Sequence, residues 1–149
     1  RAGTENVPAI AGFGAAAALA ADEGEHLARL ARARDRMEAE ALARIPEAVV
    51  HGAGAPRLPN TSCLGLPGVP AETQLMKLDL AGVAVSSGSA CSSGKVHDSH
   101  VLLAMGAAEP GTAIRVSLGW NTRDWELDRF LAVWTDLAER RRAHRHAAA

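Results

Sequence analysis

The sequence has no tyrosine, and its aromatic residues, two Phe and three Trp, amount to 3% of 149 positions. An excess of basic charge is missing too: 16 Lys and Arg stand against 17 Asp and Glu, for a formal net charge of −1. Nucleic-acid-binding domains normally carry a strongly basic surface, so no nucleic-acid partner is expected. No run of 18 consecutive apolar residues occurs, which excludes a transmembrane helix and any membrane partner of that kind. No basic segment followed by an apolar one opens the chain, so no secretory signal is visible. Cysteine is limited to Cys63 and Cys91. Two thiols cannot form a disulfide framework, and they point to a reducing, cytoplasmic compartment. The chain does not begin with methionine, and the expectation is a piece of a larger protein.

What the sequence has in abundance is alanine, roughly a fifth of all residues. Alanine favours helix but buries little area, so the apolar share of 48% overstates the core. Residues 7–45 read as one long helical stretch with room for a bend, with Asn6 or Thr4 as cap and Pro8 in the first turn. Ile10, Phe13, Gly14, Ala17, Ala18 and Ala21 recur at three- and four-residue steps and give an alanine-lined face for close packing. Leu27, Leu30, Ala31, Met37, Ala41 and Ile45 continue the stripe until Pro46 stops it.

Beyond Pro46 the pattern shortens. Strands are expected at 48–51, 60–66, 83–85 and 112–118, and helices at 70–80 and 98–105. Asn121 or Thr122 is expected to cap a last helix whose apolar face is Leu127, Phe130, Leu131, Trp134 and Leu137. The basic tail from Arg140 to His146 reads as a frayed, solvated terminus. The fold class is α/β, more closely α+β: a short sheet with hairpin-type returns and covering helices.

Two residues stand out for their chemistry. Cys91 lies in Ser86-Ser-Gly-Ser-Ala-Cys-Ser-Ser-Gly94, a segment with almost nothing to bury, so an exposed, mobile loop is expected. Cysteine is usually buried, and one displayed in such a loop suggests a nucleophile. Cys63, between Ser62 and Leu64 in an expected strand, reads as plain core. Arg115 lies in Thr112-Ala-Ile-Arg-Val-Ser-Leu118, where alternation places Ile114, Val116 and Leu118 on one face and Ala113, Arg115 and Ser117 on the other. A guanidinium there must reach water or an anion, and its planar fork suits a carboxylate. Cys91, His97 and His100 match no standard metal-ligand spacing and lack a fourth partner, so no metal is expected. Neither a phosphate-binding loop nor a serine-hydrolase elbow occurs.

The segment around Cys91, followed by Ser99-His-Val-Leu-Leu-Ala-Met-Gly106, closely resembles the active-cysteine segment of cysteine desulfurases, in the group with the longer cysteine loop. Ile114-Arg-Val-Ser-Leu-Gly119 with Asn121-Thr is similar to the segment that follows it in that family. Arg1-Ala-Gly-Thr-Glu-Asn6 resembles the upstream Arg-x-Gly-Thr motif. Three motifs in order cover nearly the whole chain.

The resemblance implies the C-terminal portion of a pyridoxal-phosphate enzyme of aminotransferase class V, fold type I. Residues 1–20 would be the end of the large cofactor-binding domain. Residues 21–149 would be the small domain, a short and mainly antiparallel sheet with helices, carrying the cysteine loop 86–95. The activity implied converts L-cysteine to L-alanine. Cys91 takes the sulfur as a persulfide and passes it to an acceptor or scaffold protein for iron–sulfur cluster or thio-product synthesis. Arg115 matches the arginine that holds the substrate carboxylate. Thr4 matches the threonine that reaches the cofactor phosphate of the partner subunit in a homodimer. The Ser-x-His-Lys motif that carries the family's Schiff-base lysine is not in this sequence, where only Lys77 and Lys95 occur, so this stretch alone is expected to be inactive. Related readings are another class V enzyme, such as a selenocysteine lyase or other amino-acid lyase, and a non-catalytic partner-binding fragment.

Overall fold

The computed structural model describes residues 2–21, 23–87 and 99–147, with the side chain of His146 set aside. Helix α1 (Val7–Ala21) starts where Asn6 Oδ1 accepts a hydrogen bond from the Ala9 amide, so Asn6 rather than Thr4 is the cap. None of the residues in α1 is buried, and Phe13 is 78% exposed. The small residues expected to pack closely have nothing against them among the described residues. The single stretch expected over 7–45 divides, because α2 begins afresh at Gly24 and runs to Arg44. Its inward stripe is Leu30, Met37 and Ala41, with Ile45 buried just beyond the end, while Leu27 faces outward.

Four short strands make one sheet: β1 (Val49–Val50), β2 (Thr61–Gly65), β3 (Ser86–Ser87) and β4 (Ala113–Ser117). Their order is β1-β2-β4-β3 and every pairing is antiparallel. Helices α2, α3 (Ala71–Leu80) and α5 (Asp124–Ala147) close one side around a single core, and a short α4 (His100–Ala104) precedes β4. That core joins Leu64, Ile114 and Val116 of the sheet to Met37, Leu78, Phe130, Leu131 and Trp134 of the helices. The rings of Phe130 and Trp134 stack with centroids 5.8 Å apart.

One buried polar group ties three elements together. The Gln74 side chain of α3 donates to the carbonyls of Val69 (2.8 Å) and Thr112 (2.6 Å) and accepts from Trp134 Nε1 of α5 (2.8 Å). Both N–H donors are used inside the core and the oxygen has a partner, as burial requires. Helix α3 ends at Gly82, whose φ of +75° suits a residue without Cβ, and Arg129 donates twice to the Ala81 carbonyl there.

Three expectations are corrected. Val83–Val85 is not a strand: pairing with β4 begins at Ser86. The preceding residues stand off from β4 and leave a cleft of about 290 Å³ lined by Val83, Val85, Val116, Leu118, Trp125 and Phe130. The basic tail is not frayed within the described residues: it forms the last turns of α5, where Arg140 pairs with Asp136 and Arg142 with Glu47. Neither Asn121 nor Thr122 caps α5, which begins at Asp124. Glu126 accepts the Arg123 amide, and Thr122 Oγ1 accepts the Gly119 amide.

Candidate functional site around Arg115

The sheet has two unlike faces. Because strand side chains alternate, Leu64, Ile114 and Val116 point to the helices, and the odd-numbered residues of β2 and β4 point away from them. Arg115 is on this second face, exposed, as its strand pattern predicts. Its register partners are Cys63 on β2 and Ser86 on β3. His51, just past β1, donates its amide to the Cys63 carbonyl (2.9 Å). The sheet thus brings His51, Cys63, Arg115 and Ser86 into one row across its four strands.

The ladder fixes how Arg115 is held. The Leu118 amide donates to Asn60 and the Leu66 amide to Thr112, so the even-numbered residues of β4 bond to β2. Cys63 and Arg115 therefore face each other as a pair without mutual backbone hydrogen bonds, the arrangement with the closer side chains, about 4.5 Å between Cα atoms. The amide and carbonyl of Arg115 turn instead toward β3 and Ser86.

The row's other groups are neutral. Burial pushes the Cys63 thiol above its ordinary 9.0, against the pull of the Arg115 guanidinium, so the thiol stays protonated at neutral pH. Burial lowers His51 below its ordinary 6.5, which keeps the imidazole uncharged. Arg115 has no salt bridge among the described residues, whereas Arg57 grips Glu38 with both terminal nitrogens (2.7 and 2.8 Å). A free guanidinium amid small neutral neighbours is a site for a carboxylate or similar anion.

Cys63 itself corrects an expectation. It is half-buried on the Arg115 face and is not part of the core. Leu64 and Leu66 mark the inward parity of β2, and that alternation was the signal in the sequence that put Cys63 outward. Thr4 is exposed ahead of α1 and away from any described partner. Cys91 lies outside the described residues, in the chain between Ser87 of β3 and Ser99, whose hydroxyl caps α4 by accepting the Leu102 amide.

Residues 1–130 match the family described as aminotransferase class-V. The chain belongs to that family. Among relatives of this class V chain, the cysteine desulfurase of Cereibacter sphaeroides is 46% identical over 145 residues, which is 96% of this chain and 37% of that protein. The cysteine desulfurase of Trichormus azollae is 44% identical over 148 residues, again 96% of this chain and 36% of the relative. In three dimensions the class V chain superposes on a NifS-like protein from Rickettsia africae with a TM-score of 0.79 and 32% identity, over 93% of this chain and 36% of the other. A second NifS-like protein gives 0.75 at 28% identity. The chain therefore spans little more than a third of the length of these relatives.

Class V enzymes generally use pyridoxal phosphate, which calls for an attachment lysine and a phosphate cradle. Among the described residues the one lysine is Lys77 of α3, paired with Asp136 at 3.5 Å on the helical side of the sheet. Arg115 is on the opposite side. The described residues offer an anion clamp and do not fit the cofactor.

Proposed function

We propose that this chain is the C-terminal portion of a cysteine desulfurase, supplying the substrate clamp and the sulfur acceptor to a homodimeric, cytoplasmic, pyridoxal-phosphate-dependent whole. In this reading residues 1–20 close the large domain and residues 21–149 form the small one. The bare surface of α1 supports that division, since an alanine-rich face with Ile10 and Phe13 outward suits packing against another part of a larger protein. The observation that carries the reading is Arg115: a guanidinium with no salt bridge among the described residues, on a strand paired with the one that leads to Cys91, in a chain 46% identical to a cysteine desulfurase.

Arg115 would hold the carboxylate of L-cysteine. Cys91 stands four residues past Ser87, so it can be no more than about 14 Å along the chain from a neighbour of Arg115. Its thiolate would attack the substrate sulfur: an S–S bond forms, the substrate C–S bond breaks with its electrons left on carbon, and a proton makes that carbon the methyl group of alanine. One enzyme thiol and one cysteine thus give one persulfide and one alanine, with no outside oxidant. Thr4 would reach the cofactor phosphate of the partner subunit, and an acceptor or scaffold protein would take the sulfur onward for iron–sulfur clusters or thio-products.

The full-length protein is expected to form alanine from L-cysteine, measured by amino-acid analysis, and Cys91→Ala to abolish sulfur transfer to a protein acceptor. Undiminished transfer in that variant would remove Cys91 from the mechanism.

A further inference from the structure

We propose that Cys63 is a positioning residue for Arg115: its side chain buttresses the guanidinium from the neighbouring strand and keeps a small neutral group where an acid would neutralise the clamp. This rests on the reading of Arg115 as the carboxylate-binding residue. The register sets Cys63 directly opposite Arg115 in the closer of the two kinds of antiparallel pair. A side chain there is within reach of the aliphatic stem of the arginine, and two strands fix its backbone: β4 by register and the end of β1 through the His51 amide.

Size and charge both matter at this position. On the β3 side Arg115 meets Ser86, which has no charge. Gly65, the next outward residue of β2, leaves room that His51 fills, with Nε2 2.8 Å from where a Cβ would stand. A larger residue at 63 would therefore have no slack on the β1 side and would press on the guanidinium. A carboxylate at 63 would form a cross-strand ion pair with Arg115 and compete with the substrate's own carboxylate.

The test uses the full-length protein with L-cysteine. Cys63→Asp is expected to raise KM about 10- to 100-fold with kcat within about threefold, the span of a lost charge-assisted contact. Cys63→Ala is expected to raise KM about threefold or more by removing the buttress, and the near-isosteric Cys63→Ser to stay within about twofold of wild type. Binding of the product L-alanine, measured by calorimetry, should weaken in the same order. Arg115→Gln is the reference. If it raises KM while Cys63→Asp and Cys63→Ala leave KM unchanged, or lower only the melting temperature, the positioning role is overturned and the clamp stands. If Arg115→Gln itself leaves KM unchanged, the clamp reading fails and takes this inference with it. Should Cys63→Asp not fold, the KM of Cys63→Ala decides.

Discussion

Two arginines show how one side chain serves opposite ends. Arg57 meets the buried carboxylate of Glu38 fork to fork, while Arg115 is left with neutral partners. For Glu38, burial alone would raise the carboxyl. No single partner matches that, but the hydrogen bonds and charge of Arg57, the nearby Ser62 hydroxyl and the charge of Arg34 together outweigh it. The net effect holds the group below its ordinary 4.5 in the fold. The pair therefore stabilises fully above that pH, and its contribution is lost as pH falls through the lower folded value. Glu38→Gln is expected to be less stable than wild type at neutral pH, with the two stability curves converging in acid, as urea unfolding at stepped pH would show. Parallel curves would mean that Glu38 does not drive the acid limb. Much of this residue-level detail was hidden in the sequence. Arg115 could be picked out because its strand is long enough to show alternation. Cys63 could not be placed as readily, since Thr61 and Ser62 blur the inward face and only Leu64 and Leu66 reveal it.

Among the elements, those with a strong apolar period were legible and those held by single hydrogen bonds were not. The face of α5 was predicted residue by residue because Phe130, Leu131 and Trp134 repeat at helical spacing. Strand β3 was misplaced by three residues, since Val83 and Val85 look like a strand by composition. Pairing instead falls on two serines, whose place is set by the register with β4. The Gln74 junction had no sequence signal at all. It carries a clear cost, however: Gln74→Leu leaves the buried Trp134 N–H and the Val69 carbonyl without their partners and the Thr112 carbonyl with the Leu66 amide alone. A loss of about 2–4 kcal/mol is expected in chemical denaturation. Helix α1 provides the contrast. Phe130→Ala should cost about 3–5 kcal/mol, because it empties a packed site. Phe13→Ala should change the stability of this chain by less than about 0.5 kcal/mol, because the ring touches no core. A large effect at Phe13 would show that α1 is packed.

At the scale of the whole molecule, the described residues form a small antiparallel layer with α2, α3 and α5 on one side and Arg115 on the other. It spans 36–37% of the curated cysteine desulfurases it resembles. Cofactor added to this chain alone is expected to leave no visible absorbance from a lysine-linked chromophore, since Lys77 is engaged with Asp136 on the far side of the sheet from Arg115 and Lys95 does not lie in a Ser-x-His-Lys motif. A stable coloured adduct surviving dialysis would contradict that. The sheet also separates two design problems. Arg115 is held by its ladder, whereas Cys91 belongs to the stretch of chain between Ser87, paired in β3, and Ser99, which caps α4. Doubling such a segment costs about 0.6 kcal/mol in closure entropy. On the proposed reading, the stretch that bears Cys91 can thus be lengthened or trimmed to suit different sulfur recipients without moving the strand that carries Arg115.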